Sequence, residues 1–295
     1  MTQKVVVPLF IVLLTGTTAF AQIMPQTVSV TNQATHGPYS NSTQRKSITS
    51  GAISLIWLPN LEMAMGLKVH TSHLNRKPPL PDIQSQSSTL SLTWVPQSPT
   101  GHYNGVRTAV TYLDVVNESE LTNPADKNAE ETFVSYLSLI YKPPDLSRSF
   151  DIGFTQGKYH DTEMRQSTVT IGSYMLNYWV WSQMRLYHVD LSNPVQGEDH
   201  SNAFEEKLTY YAIPQKLSLT FFVLFGERIY TYDPDLQIAY TLPDIQRGST
   251  GLSAIYNITP RLNFFGDLTY ETYQNRVIQN DFTVLYETVG LTYIF

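Results

Sequence analysis

The sequence predicts an all-β protein, a closed antiparallel up-and-down transmembrane β-barrel of about 14 strands, with about 12 as the alternative. Three observations lead there. Apolar residues recur at every second position, the alternating segments repeat between turn-forming clusters, and an export signal stands at the front of the chain.

The export signal comes first in the chain. Lys4 supplies a positive start, Val5 to Leu14 forms an apolar run broken only by Pro8, and Ala19-Phe20-Ala21 before Gln22 has the small-x-small spacing that a signal peptidase requires. The run is too short for a bilayer-spanning helix, which needs roughly 20 residues. Residues 1–21 are therefore expected to be a cleavable signal peptide and residues 22–295 a single barrel domain. No Cys follows Ala21, so a lipoprotein anchor is not expected.

Composition removes other classes. With no cysteine there is no disulfide framework, thiolate metal site or Cys nucleophile, and a net charge of −6 argues against nucleic acid as a partner. Nineteen Tyr and four Trp beside only 15% charged residues suit a wall that meets lipid outside and water inside.

Each strand is read from its alternation. Leu90, Leu92 and Trp94 alternate with Thr89, Ser91 and Thr93; Met63, Met65, Leu67 and Val69 with Ala64, Gly66, Lys68 and His70. The same division holds for Phe150, Ile152 and Phe154 against Asp151, Gly153 and Thr155, and for Leu262, Phe264, Leu268 and Tyr270 against Asn263, Asp267, Thr269 and Glu271. The first strand, near Thr27 to Thr31, is short and polar; without it and a partner the count falls to the lower alternative.

Links of two lengths are expected to alternate. Short ones fall at Leu58 to Asn60, Pro96 to Thr100, Lys142 to Leu146, Asn177-Tyr178, Pro214-Gln215 and Thr259-Pro260. Longer polar ones fall at Gly37 to Arg45, Asn75 to Asp82, Asn117 to Glu130, His160 to Arg165, Ser192 to Ala203, Thr231 to Arg247 and Gln274 to Asn280. Short periplasmic turns and long extracellular loops are what a transmembrane barrel shows. Closure is a physical requirement, because hydrocarbon offers no water to a free backbone N–H or C=O and a lipid-spanning sheet can have no edge.

The last strand carries the most specific signal. Leu285, Val289, Leu291, Tyr293 and Phe295 occupy odd positions, and the sequence stops at Phe295. A terminal Phe with an aromatic two residues before it resembles the C-terminal signature of Gram-negative outer-membrane β-barrel proteins. That resemblance implies location in the outer membrane, with Tyr293 and Phe295 as the assembly signal read by the barrel assembly machinery. Periplasmic chaperones during biogenesis, and outer-membrane lipid and lipopolysaccharide afterwards, are the expected partners; no cofactor and a monomer are expected. Glu287 departs from the pattern by placing a charge on the outward face.

The polar face assigns Lys68, His70, Arg107, Asp151, Arg185, Lys207, Arg228, Asp267 and Glu271 to the lumen. Rings of such charges set ion preference in a pore, or else pair across neighbouring strands and fill the interior. Strands about 4.8 Å apart, tilted by about 40°, give a backbone diameter of roughly 28 Å and a passage on the order of 15 Å. Within Thr231 to Arg247, Leu236, Ile238, Tyr240 and Leu242 alternate, so this link is either an extended hairpin above the membrane, the favoured reading, or an inward lid. Aromatic belts are expected at Trp57, Trp94, Tyr141 and Phe295 beside the short turns, and at Tyr159, Tyr187, Tyr230 and Tyr273 beside the long loops. Trp181 and Tyr187 flank Arg185 either as a greasy slide for a sugar or as packing.

Enzymatic and metal readings have thinner support. His70-Thr71-Ser72 has a His-x-Ser spacing that resembles lipid A deacylases, and His102 to Arg107 resembles the active-site stretch of outer-membrane phospholipase A but holds no serine. Polar lumen and turn residues explain both. His160, Asp161 and Glu163, and likewise Glu198, Asp199 and His200, are candidate metal clusters or simply solvated loop charges. The leading expectation is a passive, porin-like channel for small polar solutes, followed by an occluded structural or adhesive barrel with partner-binding loops, and then a barrel-borne lipid hydrolase.

Overall fold

The computed structural model describes residues 27–117, 130–159, 162–240 and 242–295, so the signal-peptide expectation and the His160-Asp161 pair lie outside the described residues. The strands run β1 (Thr27–Ser40), β2 (Arg45–Asn60), β3 (Met63–Arg76), β4 (Ile83–Trp94), β5 (Tyr103–Asn117), β6 (Glu130–Lys142), β7 (Arg148–Tyr159) and β8 (Thr162–Met175). They continue as β9 (Val180–Val195), β10 (Glu198–Ile213), β11 (Leu217–Arg228), β12 (Tyr232–Asp233), β13 (Ile238–Ala239), β14 (Ile245–Thr259), β15 (Leu262–Asn275) and β16 (Asn280–Ile294).

All but β12 and β13 form one closed antiparallel barrel in which chain neighbours pair, β11 meets β14 and β1 meets β16. The barrel has 14 strands, the larger of the two expected counts. The closing seam is in register from Ser29↔Ile294 to Ser40↔Thr283, and it is stapled inside by Thr31 to Thr292 and Thr35 to Thr288 hydroxyl contacts of 2.9 Å. The polar first strand is thus real: its lumen face has no need of apolar residues, and β16 and β2 supply its backbone partners. Pairing with β2 is sparser. It is formed at Thr27↔Leu58, Val28↔Trp57, Gly37↔Ile48 and Pro38↔Ser47, with no ladder pair between Val28 and Gly37 among the described residues.

Barrel strands run from 12 residues in β4 to 16 in β2. At a rise of about 3.4 Å and a tilt of about 45°, even the shorter length spans about 29 Å along the membrane normal, enough for a hydrocarbon band of about 25 Å. Burial alternates accordingly. In β7, Phe150, Ile152 and Phe154 are exposed while Thr155 and Tyr159 are buried; in β8, Val169 and Ile171 are exposed while Gln166, Thr168 and Thr170 are buried. A closed sheet with large apolar side chains exposed all round is a transmembrane barrel, because no second protein layer covers them and only lipid matches that surface.

The aromatic belts need one correction. Trp57, Trp94, Tyr141 and Phe295 are exposed on the end that carries Thr27 and Phe295, the periplasmic end in an outer-membrane barrel. At the opposite end Tyr159 and Tyr187 are buried in the lumen, Tyr230 stacks on Tyr159 at 4.6 Å, and Tyr273 bonds the lumen-facing Glu271. Strand parity sends Tyr159, Tyr187 and Tyr273 inward, and Tyr230 lies on the segment after β11; Phe133, Phe154, Phe225 and Tyr270 are exposed rings toward that end. Eight residues of β6 separate Phe133 from Tyr141, about 20 Å along the normal at the same rise and tilt. Glu287 is exposed and faces His36 across the closing seam, about 22 Å above the start of β1 by the same rise and tilt, at the outer edge of the apolar band.

Most expected long loops are short, because the strands run on past the membrane. Ser192 to Ala203 is mainly strand, and β9 turns into β10 over Gln196 (φ 53°) and Gly197 (φ 88°), the positive angles that a two-residue hairpin turn needs. Gly37 to Ser40 likewise belongs to β1, and Gln274 and Asn275 to β15. The expected link Asn117 to Glu130 lies, between its end residues, outside the described residues. Among the described residues the segment between β11 and β14 is the exception, since it leaves the wall and enters the lumen.

Candidate functional site: a lumen closed by an inward hairpin

The wall bends where that segment leaves it. Register shifts between β11 and β14 at Phe225/Arg228, and between β14 and β15 at Gln246/Gly248, are β-bulges. Gly226 (φ 100°) sits in the first; a Cβ there would stand 2.3 Å from the Asn202 carbonyl oxygen of β10, so both the angle and the close approach require glycine.

From these bulges residues 229–240 and 242–244 turn inward, which corrects the favoured expectation of a hairpin standing above the membrane. Their apolar alternation has a simple cause: the segment is buried. Tyr232 and Ile229 pack with Tyr136, Tyr159, Met164, Val189 and Leu191 of the β6–β9 wall in one apolar cluster. β12 pairs with β13 through Tyr232↔Ala239 and Asp233↔Ile238, and Asp233 Oδ1 accepts from the backbone N–H groups of Asp235 (2.8 Å) and Leu236 (3.0 Å), closing the tip.

Polar contacts fix this small hairpin to the wall. The Gln166 amide of β8 pairs with the Tyr232 backbone in both directions, its Nε2 donating to the carbonyl (2.8 Å) and its Oε1 accepting from the N–H (3.0 Å). At the tip, Asp235 accepts from Arg185 Nη2 (2.7 Å) and Nη1 (3.1 Å), Lys207 Nζ (2.7 Å) and Gln183 Nε2 (3.1 Å). Lys68 Nζ donates to the Leu236 carbonyl, and at the outer rim Asp244 pairs with Arg45 of β2. The hairpin therefore crosses the lumen, anchored on β6–β10 and reaching β2 and β3.

The nine lumen residues expected from the sequence have distinct surroundings. Arg185 and Lys207 face Glu205 at 3.5 and 3.1 Å, and with Lys68 they converge on the hairpin tip. Arg228 donates from Nε to Gln246 Oε1 (2.8 Å) between the rings of Tyr187 and Tyr240, 5.1 and 5.3 Å away. His70, Asp267 and Glu271 line the cavity described below. Asp267 accepts from Thr269 Oγ1 (2.7 Å), and Glu271 from the Tyr273 hydroxyl. On the other side, Asp151 accepts from Ser138 Oγ (3.1 Å), and half-buried Arg107 shares the parity of the buried Ala109 and Thr111. Asp233, Asp235, Asp244, Gln166 and Arg45 were missed by sequence reasoning. Only the alternation at Leu236 to Leu242 hinted at the first three.

Docked on β6–β10, the hairpin leaves a cavity of about 370 Å³ against the opposite wall. Its lining mixes Ile48, Leu74, Phe222, Ile255 and Phe265 with Gln33, Ser85, Lys207 and Asp235. Trp181 lines it too, flanked by Tyr174 at 4.7 Å.

The other candidates are accounted for locally. Ser72 Oγ bonds Ser85 Oγ (2.6 Å), and His102 stacks on Tyr141 and bonds its hydroxyl at 2.8 Å beside a periplasmic turn. Glu198 pairs with Arg276 while His200 pairs with Asp199. Among the described residues no group of three or more His, Asp or Glu is placed to hold a metal ion.

No protein-family model matches the sequence, and no curated protein matches it. Solved structures do. The CymD monoaromatic hydrocarbon channel is similar with a TM-score of 0.58 at 9% identity, over 93% of this chain and 90% of that one. The Ralstonia pickettii toluene transporter TbuX is similar with a TM-score of 0.56 at 9% identity, over 93% and 90%. An outer membrane channel from Pseudomonas putida F1 is similar with a TM-score of 0.52 at 10% identity, over 93% and 97%. At such identities the likeness is one of fold, and the chain has the fold of bacterial outer-membrane channels.

Proposed function

We propose that the protein is a passive outer-membrane channel, closed at rest by residues 229–244, that admits small and largely apolar solutes. The observation that carries this reading is a transmembrane barrel whose lumen holds a hairpin that forms its own small sheet, separate from the wall. It is attached through an apolar cluster and side-chain hydrogen bonds, and it contributes no strand to the barrel ladders. The apolar part of the cavity lining shifts the expected solute away from the small polar ones that the charges suggest, and of the similar structures one is described as a monoaromatic hydrocarbon channel and another as a toluene transporter. In this reading Lys68, His70, Arg107, Asp151, Arg185, Lys207, Arg228, Asp267 and Glu271 line the passage and steer what enters. Tyr293 and Phe295, exposed at the periplasmic rim, serve assembly, and lipid and lipopolysaccharide surround the finished barrel.

The closed lumen favours a second reading, an occluded surface barrel whose outer face binds a partner. Planar-bilayer recording separates the two. The channel reading expects stepwise openings, made more frequent by loosening the hairpin; silence in the wild type and in every hairpin variant supports the occluded barrel. A lipid hydrolase stays the least supported reading, since the similar structures named above are channels and a transporter.

A further inference from the structure

We infer that the solute carries a carboxylate, and that this group opens the channel by taking the place of the Asp235 side chain between Arg185 and Lys207. The inference deepens the channel reading and rests on it.

Asp235 is held as a ligand would be. Its two oxygens receive four donors from three wall side chains, with the two terminal nitrogens of Arg185 each meeting a different oxygen. That fork matches a planar carboxylate, and Lys207 adds a point charge on the shared side. The wall builds this site independently of the hairpin. Thr170 Oγ1 accepts from Arg185 Nε at 2.8 Å, and the Tyr187 hydroxyl lies 3.2 Å from Nη1, so the guanidinium keeps its direction when Asp235 leaves.

The ion-pair contacts indicate a single carboxylate. Arg185 and Lys207 are two cations, and Glu205 is the wall carboxylate that faces both of them. In the closed state Asp235 is the hairpin carboxylate in ion-pair contact with both cations, and a single carboxylate replaces it contact for contact. A neutral solute leaves the Arg185 fork and Lys207 without the second carboxylate that pairs with them in the closed state. A carboxylate supplies it.

The surroundings describe the rest of the molecule. Lys207 and Asp235 border the cavity of about 370 Å³, within the range of small-molecule sites, whose apolar walls include Phe222, Ile255 and Phe265. An apolar body with one carboxylate fits, as in a benzoate-type acid. A second observation points the same way. Arg228, 4% exposed, lines this cavity nearer the outer rim, and its Nη1 has no hydrogen-bond partner; nor has Ser249 Oγ, which lines the same cavity. These donors form a row along which a carboxylate passes toward Arg185, while Glu271, opposite Ser249 in register, keeps that row from holding an anion tightly.

The test uses the full-length barrel and two probes of like shape, benzoate and neutral benzamide, with chloride at matched ionic strength as the screening control. In planar bilayers, benzoate at millimolar concentration is expected to raise the open probability at least tenfold, and benzamide or chloride less than twofold. Because the hairpin competes for the site, Asp235→Ala is expected to bind benzoate at least tenfold more tightly than wild type in detergent, read by Trp181 fluorescence against a Trp181→Phe blank; a larger competent fraction lowers the apparent Kd in proportion. Lys207→Met in the Asp235→Ala background is expected to lose that gain. Equal responses to benzoate and benzamide, or no tightening in Asp235→Ala, overturn the carboxylate inference while the channel reading stands if Asp235→Ala conducts. Silence of wild type and Asp235→Ala under all conditions overturns the channel reading, and this inference with it.

Discussion

Gln166→Leu tests the docked hairpin most selectively, because the substitution removes two hydrogen bonds while nearly preserving shape. In the closed barrel the Tyr232 N–H and C=O are buried, and Gln166 satisfies both, at 3.0 and 2.8 Å. Leucine leaves both groups without a partner. Each orphaned buried group costs about 1–3 kcal/mol, so the docked state loses roughly 2–6 kcal/mol, reduced by about 1 kcal/mol for the apolar surface leucine buries. A net loss of about 3 kcal/mol shifts the docked-to-released ratio by roughly 150-fold. Single-channel recording reads that shift as open probability, and limited chymotrypsin digestion of the folded barrel reads it as cleavage at Tyr230, Tyr232 or Tyr240. Arg165→Ala, on the outward face of the same strand, is the control and is expected to change the docked state by less than about 0.5 kcal/mol. Open probability and digestion rate within twofold of wild type for Gln166→Leu would refute the reasoning, because the hairpin would then not depend on the contacts that hold it.

Three further outcomes are expected. Burial pushes the Asp235 carboxyl up, but the charges of Arg185 and Lys207 outweigh this and hold it well below the ordinary carboxylate range. Its value is lower docked than released, so docking keeps this contribution above the ordinary range and loses it as pH falls through the depressed value. Open probability is therefore expected to stay flat from about pH 7 to about 5 and to rise only below about 4; a rise centred near neutrality would assign closure to another group. Leu252→Arg, at an exposed lipid-facing position near the middle of β14, is expected to destabilise the barrel by about 2–4 kcal/mol in urea titrations in lipid vesicles, and no loss would place that face out of the bilayer. Finally, the sparse ladder between β1 and β2 predicts that amides of residues 29–36 and 49–56 directed at each other exchange faster than those of the β1–β16 seam, as hydrogen exchange read by mass spectrometry will show.

The barrel was readable from its sequence because lipid imposes a rule at every second residue. Phe150, Ile152 and Phe154 must be apolar wherever they sit around the circumference, so the pattern survives without knowledge of any partner. The rule lapses beyond the bilayer. There Ser192 to Val195 and Glu198 to Asn202 face water on the outer side and carry no alternation, and they read as loop although they continue β9 and β10. Tyr187 was misplaced for a different reason, since its nearness to a strand end suggested a belt while its shared parity with Arg185 sent it inward. The site itself was half legible. Periodicity put Lys68, Arg185 and Lys207 on the lumen face, but their common partner Asp235 lies on a segment whose path depends on long-range packing against Gln166 and Tyr136. No local pattern encodes a contact between residues 185 and 235.

The central claim is that the inward segment between β11 and β14 closes the barrel. Replacing residues 231–242 by a two-residue Asn-Gly turn and recording single channels beside the wild type tests it directly. The account expects a continuously open, large-conductance pore in the shortened protein and a mostly closed one in the parent. A shortened barrel that folds but stays silent, or a parent that conducts equally well, would contradict it.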